Sequence, residues 1–331
     1  MDRLGLGIVN FIGFIRFAVR RLTITALTLF LVSLFSFAAF RIIPGDAAVL
    51  ALGVEATEAQ VQTLRAEMGL DKSFPQQYAA WLANFFTGNL GNSARFMGAS
   101  VSGLIMERLP VTITLAALSF LFIVMIAVPV SFLSVKKENS KLDRIVTTLT
   151  ALNISVPGFF LGIIFIWIFG LTFKLFIPGA FVRLAVNPAA FFAYLVFPAL
   201  AIALPNAALV VKFLRASIFR EFNSDYARTA KSKGASRAHI LMRHVIKNSS
   251  LPAITLLGMI TGEILSGSIV IEQVFGIPGI GMLLIAGINA RDFIVTQTLI
   301  IYIAFTVILA NTFADIILQA IDPRIRLAEK A

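Results

Sequence analysis

EFNSDYARTAKSKGASRAHILMRHVIKNSSLP, residues Glu221 to Pro252, is the longest polar segment in the C-terminal two thirds of an otherwise apolar chain. With the residues just upstream it carries nine basic side chains, at positions 212, 215, 220, 228, 231, 233, 237, 243 and 247, against two acids, Glu221 and Asp225. Apolar runs long enough to cross a bilayer flank it on both sides. A connection of this length is too long for a simple turn, and its pattern predicts two short helices. Asn223 or Ser224 caps the first, Gly234 ends it in a left-handed conformation, and Ser236 caps a second that runs toward Lys247. At 100° per residue, Tyr226, Ala227, Ala230 and Gly234 share one arc of roughly 100°, with Arg228 away from it. A face of small residues with one tyrosine lets another protein approach closely. A solvated basic loop would carry the same charge, and spacing alone leaves both readings open.

Composition sets the class. Of 331 residues, 58% are hydrophobic and 31 are phenylalanine, which predicts an all-α integral membrane protein. The chain has no cysteine, so it has no disulfide framework, thiolate metal site or thiol nucleophile. The net charge of +11 is assigned to cytoplasmic loops rather than to a nucleic-acid partner. There is no aromatic-interleaved basic groove and no glycine-rich phosphate loop, so neither nucleic acid nor a nucleotide is expected on this chain. His239 and His244, the two histidines, lie five apart with no suitably placed carboxylate, and no metal site is expected there. No serine sits in a nucleophile elbow.

Working outward, six spans are predicted. Residues 1–21 form a cytoplasmic or interfacial N-terminus, with an apolar stretch from Leu4 to Ile15 too short to span, and 22–41 the first transmembrane helix. Residues 42–105 form a polar, acid-leaning extracytoplasmic segment with a helix near Glu58–Met68 and turns at Gly69, Pro75, Gly88 and Gly91. Residues 106–320 form the core domain, with spans at about 111–135, 145–175, 188–211, 251–275 and 294–319 and the basic loop at 212–250. Pro157-Gly158 kinks the third span, Pro198 and Pro205 interrupt the fourth, residues 276–293 lie outside, and 321–331 end in the cytoplasm. Four basic residues in 1–21, four in 136–144, nine in 212–247 and three in 324–330 make 20 of the 28 cytoplasmic, which puts both termini inside. The glycine pairs 158/162 and 258/262 have the spacing of close helix contacts.

Four stretches carry a family resemblance. DYARTAKSKG (Asp225–Gly234) followed by Leu251-Pro252 resembles the cytoplasmic coupling loop of ABC-importer permeases, in the longer-gapped variant of the peptide branch. The more general form begins Glu-Ala-Ala; here Arg228-Thr229-Ala230 stand there, so only Ala230 and Gly234 match. MGLDKSFPQQYAAWLANFFTGNLGNS with ERLPVTITLAALS is similar to the external segment and second-helix start of the dipeptide/oligopeptide permeases. SGSIVIEQVFGIPGIGMLL, with Glu272, Phe275, Pro278-Gly279 and Gly281, is the third match, and Asp315 seven residues before Asp322 in the C-terminal stretch is the fourth.

The resemblance runs from Arg20 to Arg326 and implies the type I ABC-importer permease fold in a bacterial or archaeal cytoplasmic membrane. It further implies a second homologous permease subunit, in a heterodimer, two cytoplasmic ATPases that bind ATP and Mg, and an extracytoplasmic solute-binding protein. The implied cargo is a di- or oligopeptide, or a related solute such as nickel or glutathione. This chain would hold no cofactor and hydrolyse nothing; Tyr226, Ala227, Ala230 and Gly234 would couple it to the ATPase.

An ion-coupled secondary transporter and a non-transporting scaffold are the rival classes. The first should carry several ionisable groups within its spans, yet Glu263 is the one mid-span acid, with Asp315 and Lys174 near span ends. A scaffold needs no patterned loop. Glu263 lies twelve residues past Leu251, roughly 18 Å into a core about 30 Å thick. It is a candidate pathway-lining residue, with a structural hydrogen bond or ion pair to a neighbouring helix or a second subunit as the alternative.

Overall fold

The computed structural model describes residues 3–42, 49, 57–67, 69–93, 95–96 and 98–321. The chain order is α1 (Arg3–Ile42), α2 (Glu58–Glu67), α3 (Phe74–Phe86), α4 (Val101–Lys136), α5 (Lys141–Ser155), α6 (Gly158–Phe165, continued as a π-helix over Ile166–Thr172) and α7 (Pro188–Phe222). Then come α8 (Asp225–Ser232), α9 (Arg237–Ile240, with a π-turn over Leu241–Val245), α10 (Ile246–Phe275), α11 (Ile280–Asn289) and α12 (Phe293–Ile321). Among the described residues there is no strand. Five helices are long and apolar enough to cross a membrane, six if the bent α5–α6 pair counts as one span.

α7 is the central element. In its most apolar stretch 61% of residues are buried, against 17–28% in the other four long helices. Alanines at 199, 201, 203, 207 and 208 let neighbours close in on every side. Around it α4 contributes Leu115 and Ile123, and α10 contributes Ile260, Ile264 and Ile271, to one apolar core. A second cluster joins Val101 and Ile105 of α4, Leu283 of α11 and Leu299 of α12. α1 lies against α12 through an Arg21–Asp315 ion pair and a 2.7 Å hydrogen bond between the Thr25 and Thr312 hydroxyls. Asp322, the sequence partner of Asp315, lies outside the described residues.

Several predicted boundaries are corrected. α1 is one helix from Arg3, with no separate segment before residue 22. α4 starts at Val101, ten residues before the predicted span, because Ser100 accepts a hydrogen bond from Gly103 N and caps it there. The third span is not a kinked helix over 145–175 but two helices meeting at 103°. Val156 and Pro157 are extended, Pro157 has no N–H to give the ladder, and Gly158 packs on the Ala201 carbonyl, where a Cβ would come within 2.9 Å of the oxygen. α7 runs unbroken through Pro198 and Pro205 and on to Phe222, its neighbours supplying the packing that a lone helix lacks.

Gly69, Gly88 and Gly91 take positive φ as their turns require. Pro75 is not a turn: it lies in the first turn of α3, behind the N-cap Ser73, where a missing N–H costs nothing. α3 goes beyond the sequence expectation; it is held on α1 by Phe37, whose ring meets Phe74, Tyr78 and Trp81 at 5.5–5.6 Å. Ser33 and Tyr78 share a 2.7 Å hydrogen bond at the same contact. Residues 276–293, predicted as an outer connection, contain the apolar helix α11.

Candidate functional site

At the basic end of the bundle the predicted pair of helices is present. Gly234, at φ +82°, closes α8: Ala235 N donates to Ala230 O (3.1 Å) and Gly234 N to Lys231 O (3.0 Å), the Schellman pair of bonds. Ser236 Oγ accepts from His239 N at 3.3 Å and caps α9. Ser224 holds the extended N-cap conformation of α8, but its hydroxyl donates back to Glu221 O (2.6 Å) instead of capping. The second helix does not stop near Lys247; through the π-turn it leads directly into α10.

Tyr226, Ala227 and Ala230 share a face, as the wheel predicts, and that face is turned toward the chain's own spans. Ala227 is 3% exposed, in a cluster with Val135 of α4, Leu214 and Ile218 of α7, Ile240 and Ala253. Tyr226 and Ala230 are half-buried at its edge. The Tyr226 hydroxyl donates to Glu221 Oε2 at 2.6 Å, and burial followed by this bond raises its pKa above the ordinary phenol value. Gly234 is exposed, with open space where a Cβ would stand, and Arg228, Thr229, Lys231 and Ser232 face outward.

Beneath this pair lies a buried ionic contact that no sequence pattern announces. Asp143 of α5 is 5% exposed. Its carboxylate accepts from Ser134 Oγ (2.5 Å), Arg215 Nε (3.1 Å) and Nη2 (3.0 Å), and Asn139 N (3.2 Å), tying α4, α5 and α7 together. In the sequence Asp143 and Arg215 are only charges 72 positions apart.

At the opposite end Glu272 is fully buried. Its carboxylate accepts from Thr112 Oγ1 (2.5 Å) and from the first-turn amides of α11, Gly281 N (2.7 Å) and Met282 N (3.3 Å). Thr112 Oγ1 accepts in turn from Ile280 N at 2.9 Å. A carboxylate at a helix N-terminus meets free N–H donors and the positive end of the dipole, so Glu272 fastens α4, α10 and α11. The sequence marks Glu272 only as part of a motif.

Glu263 faces out. From Pro252 to Phe275 the exposed positions of α10 are Met259, Glu263, Ser266, Val270 and Gln273, one stripe at helical spacing. The Glu263 carboxylate has no hydrogen bond or ion pair among the described residues. The structure therefore brings Tyr226, Ala227 and Ala230 together, sets Gly234 at the end of their helix, and places Glu263 apart from them on α10.

A bundle of five or six apolar helices around one small-residue helix, with a structured basic appendage at one end, defines an α-helical membrane protein. The chain belongs to the family described as the binding-protein-dependent transport system inner membrane component, which matches residues 127–327; the N-terminal module of the same systems matches 14–116. It is 34% identical over 321 residues to a putative peptide permease protein of Brucella suis, covering 95% of this chain and 99% of that one. It is 33% identical to a probable peptide ABC transporter permease protein of Sinorhizobium fredii (94% and 99%) and 31% identical to the oligopeptide transport system permease protein AppB of Bacillus subtilis (93% and 98%). The fold matches a solved chain of the inward-facing MetNI methionine ABC transporter with a TM-score of 0.53, at 17% identity, over 66% of this chain and 96% of that one. The protein has the type I importer fold and is the permease subunit of an ABC importer, a multi-pass protein of the inner membrane. A secondary transporter and a scaffold are set aside by the same matches.

Proposed function

We propose that this chain forms half of the pathway by which peptides enter the cell, beside a second, related permease subunit in a heterodimer. A solute-binding protein delivers cargo on the outside, and two ATPases, which bind ATP and Mg, drive the cycle from the cytoplasm. The chain itself holds no cofactor and hydrolyses nothing. The observation that carries the peptide reading is the end-to-end identity of 31–34% with permeases named for peptides, including the external segment. Purification of the tagged chain with its partners, followed by mass spectrometry of the solute carried by the binding protein, tests it; a recovered ligand of another class overturns the peptide assignment.

Both termini and α8 lie in the cytoplasm in this reading. The absence of native cysteine allows a direct check. Asn89, exposed beyond α3, and Lys137, exposed after α4, are suitable positions. Asn89→Cys is expected to react with an impermeant thiol reagent in intact cells, and Lys137→Cys only after permeabilisation. The reverse pattern inverts the orientation.

For coupling, Tyr226, Ala227 and Ala230 root α8 in the spans, while Gly234 and the outward side chains face the ATPase. Gly234→Leu places a side chain at φ +82°, a strain of about 1–2 kcal/mol, in space this chain leaves open. The variant is expected to reach the membrane at a normal level but to lose uptake, because the leucine stands where the ATPase approaches. Normal uptake with a normally bound ATPase would show that the corner at Gly234 plays no part.

A further inference from the structure

We infer that Glu263 is a recognition point for the ammonium group of the transported solute, a reading that rests on this chain lining a peptide pathway. The residue lies 15 positions past Asn248 and 12 before Phe275, the two ends of its span, so it sits near mid-membrane. Its face of α10 is the one that the chain's own helices leave uncovered. Ile260, Ile264 and Ile271 face the central core, and Gly262 lies against Asn311 of α12.

That face is not built for lipid. Between residues 113 and 133 the exposed positions of α4 show what a lipid-compatible stripe looks like: Ile113, Ala117, Leu121, Met125, Pro129 and Leu133, none of them polar. The α10 stripe instead carries Glu263, Ser266 and Gln273 among its five positions. A carboxylate in hydrocarbon costs about 2.5–3.5 kcal/mol even on the mildest scale, and intramembrane acids face a water-filled cavity or a partner. No partner for it is found among the described residues. A carboxylate facing water, flanked by a hydroxyl one turn away and a carboxamide three turns away, is complementary to a cationic, hydrogen-bonding solute. The ammonium group of a lysine side chain fits that description.

The test uses the complete transporter in proteoliposomes, with its binding protein loaded with one of two peptides that differ only in lysine versus norleucine. Glu263→Gln keeps shape and hydrogen bonding but removes the charge. Uptake of the lysine peptide is expected to fall about tenfold and that of the norleucine peptide by less than about twofold, the range of one lost charged contact. A second variant, Glu263→Cys in this cysteine-free chain, is expected to react with a cationic water-soluble thiol reagent, as a position that faces a water-filled path should.

Equal effects on both peptides, with a thiol at position 263 that still reacts, would leave the pathway intact and overturn the recognition. An unreactive thiol there, together with loss of the second subunit from purified Glu263→Gln complexes, would make Glu263 an intersubunit contact and overturn both. Failure of the unmodified transporter to move either peptide would remove the peptide reading itself, and this inference with it.

Discussion

Gly281→Val is expected to lower the amount of folded protein in the membrane by about tenfold or more. A Cβ on residue 281 would overlap the Ile269 Cα and stand 2.9 Å from its Cβ. The nearest atom is backbone, so no rotamer change relieves the contact. Moving α11 away does not relieve it cheaply either, because Gly281 N is held by the buried Glu272 carboxylate at 2.7 Å. Overpacking alone costs about 1–3 kcal/mol, and a buried carboxylate that loses a donor costs about 1–3 kcal/mol more. Together these approach the whole stability of a typical domain at its lower end. Gly267→Ala is the control: it lies on the same helix as Glu272, nothing stands within 4 Å of its Cβ position, and replacing a helical glycine gains a fraction of a kcal/mol. Detergent-solubilised yield and size-exclusion profile of fluorescently tagged variants give the measurement. A Gly281→Val protein at the parental level with a symmetric profile would mean that the α10–α11 contact is loose.

Arg215→Ala is expected to destabilise the basic end by about 3 kcal/mol. Removing one member of a buried ion pair typically costs about 3–5 kcal/mol because the other charge is left without its partner. The low end applies here because the Arg215 side chain is 28% exposed, and water can reach its place. Ser134 and Asn139 N would remain on Asp143, too few donors for a carboxylate with 7% side-chain exposure. Asp143→Asn combined with Arg215→Met should recover more than half of the loss, since neither charge is then stranded. The midpoint of unfolding in an SDS titration reads the difference. A single variant as stable as the parent would show the pair to be no more than a surface contact.

What is legible in the sequence is local. Gly234 and Ser236 announce their turns through their own chemistry, and the left-handed corner and the cap stand where their residue types put them. The apolar runs locate the long helices because burial in lipid needs only length. Pro75 misleads, since a proline serves equally as a turn residue or as a helix start, and here Ser73 and Gln76 close a capping box around it. The break at Pro157 reads from the sequence as a kink, because its 103° sharpness depends on the Ala201 carbonyl far along the chain. The same separation hides the two buried carboxylate contacts. Glu272 finds Thr112 from another helix, and Asp143 finds Arg215, and no spacing rule connects either pair. Tyr226, Ala227 and Ala230 do share one face, but which way a face points is decided by the spans around it.

The rooting of α8 has a mechanical consequence. Ala227 is clamped among side chains from the ends of α4, α7 and α10, so the short helix has no slack with respect to three spans at once. α7, 35 residues and about 52 Å long, is gripped again near its middle, where Gly158 rests on Ala201. A rod seized at one end and pivoted at Ala201 is a lever with arms of 21 and 13 residues, about 32 and 20 Å. An ångström of displacement at the basic appendage is then expected to arrive as about 0.6 Å, in the opposite sense, at the far end of α7, and the stiffness of an alanine-packed helix sets how faithfully the stroke arrives.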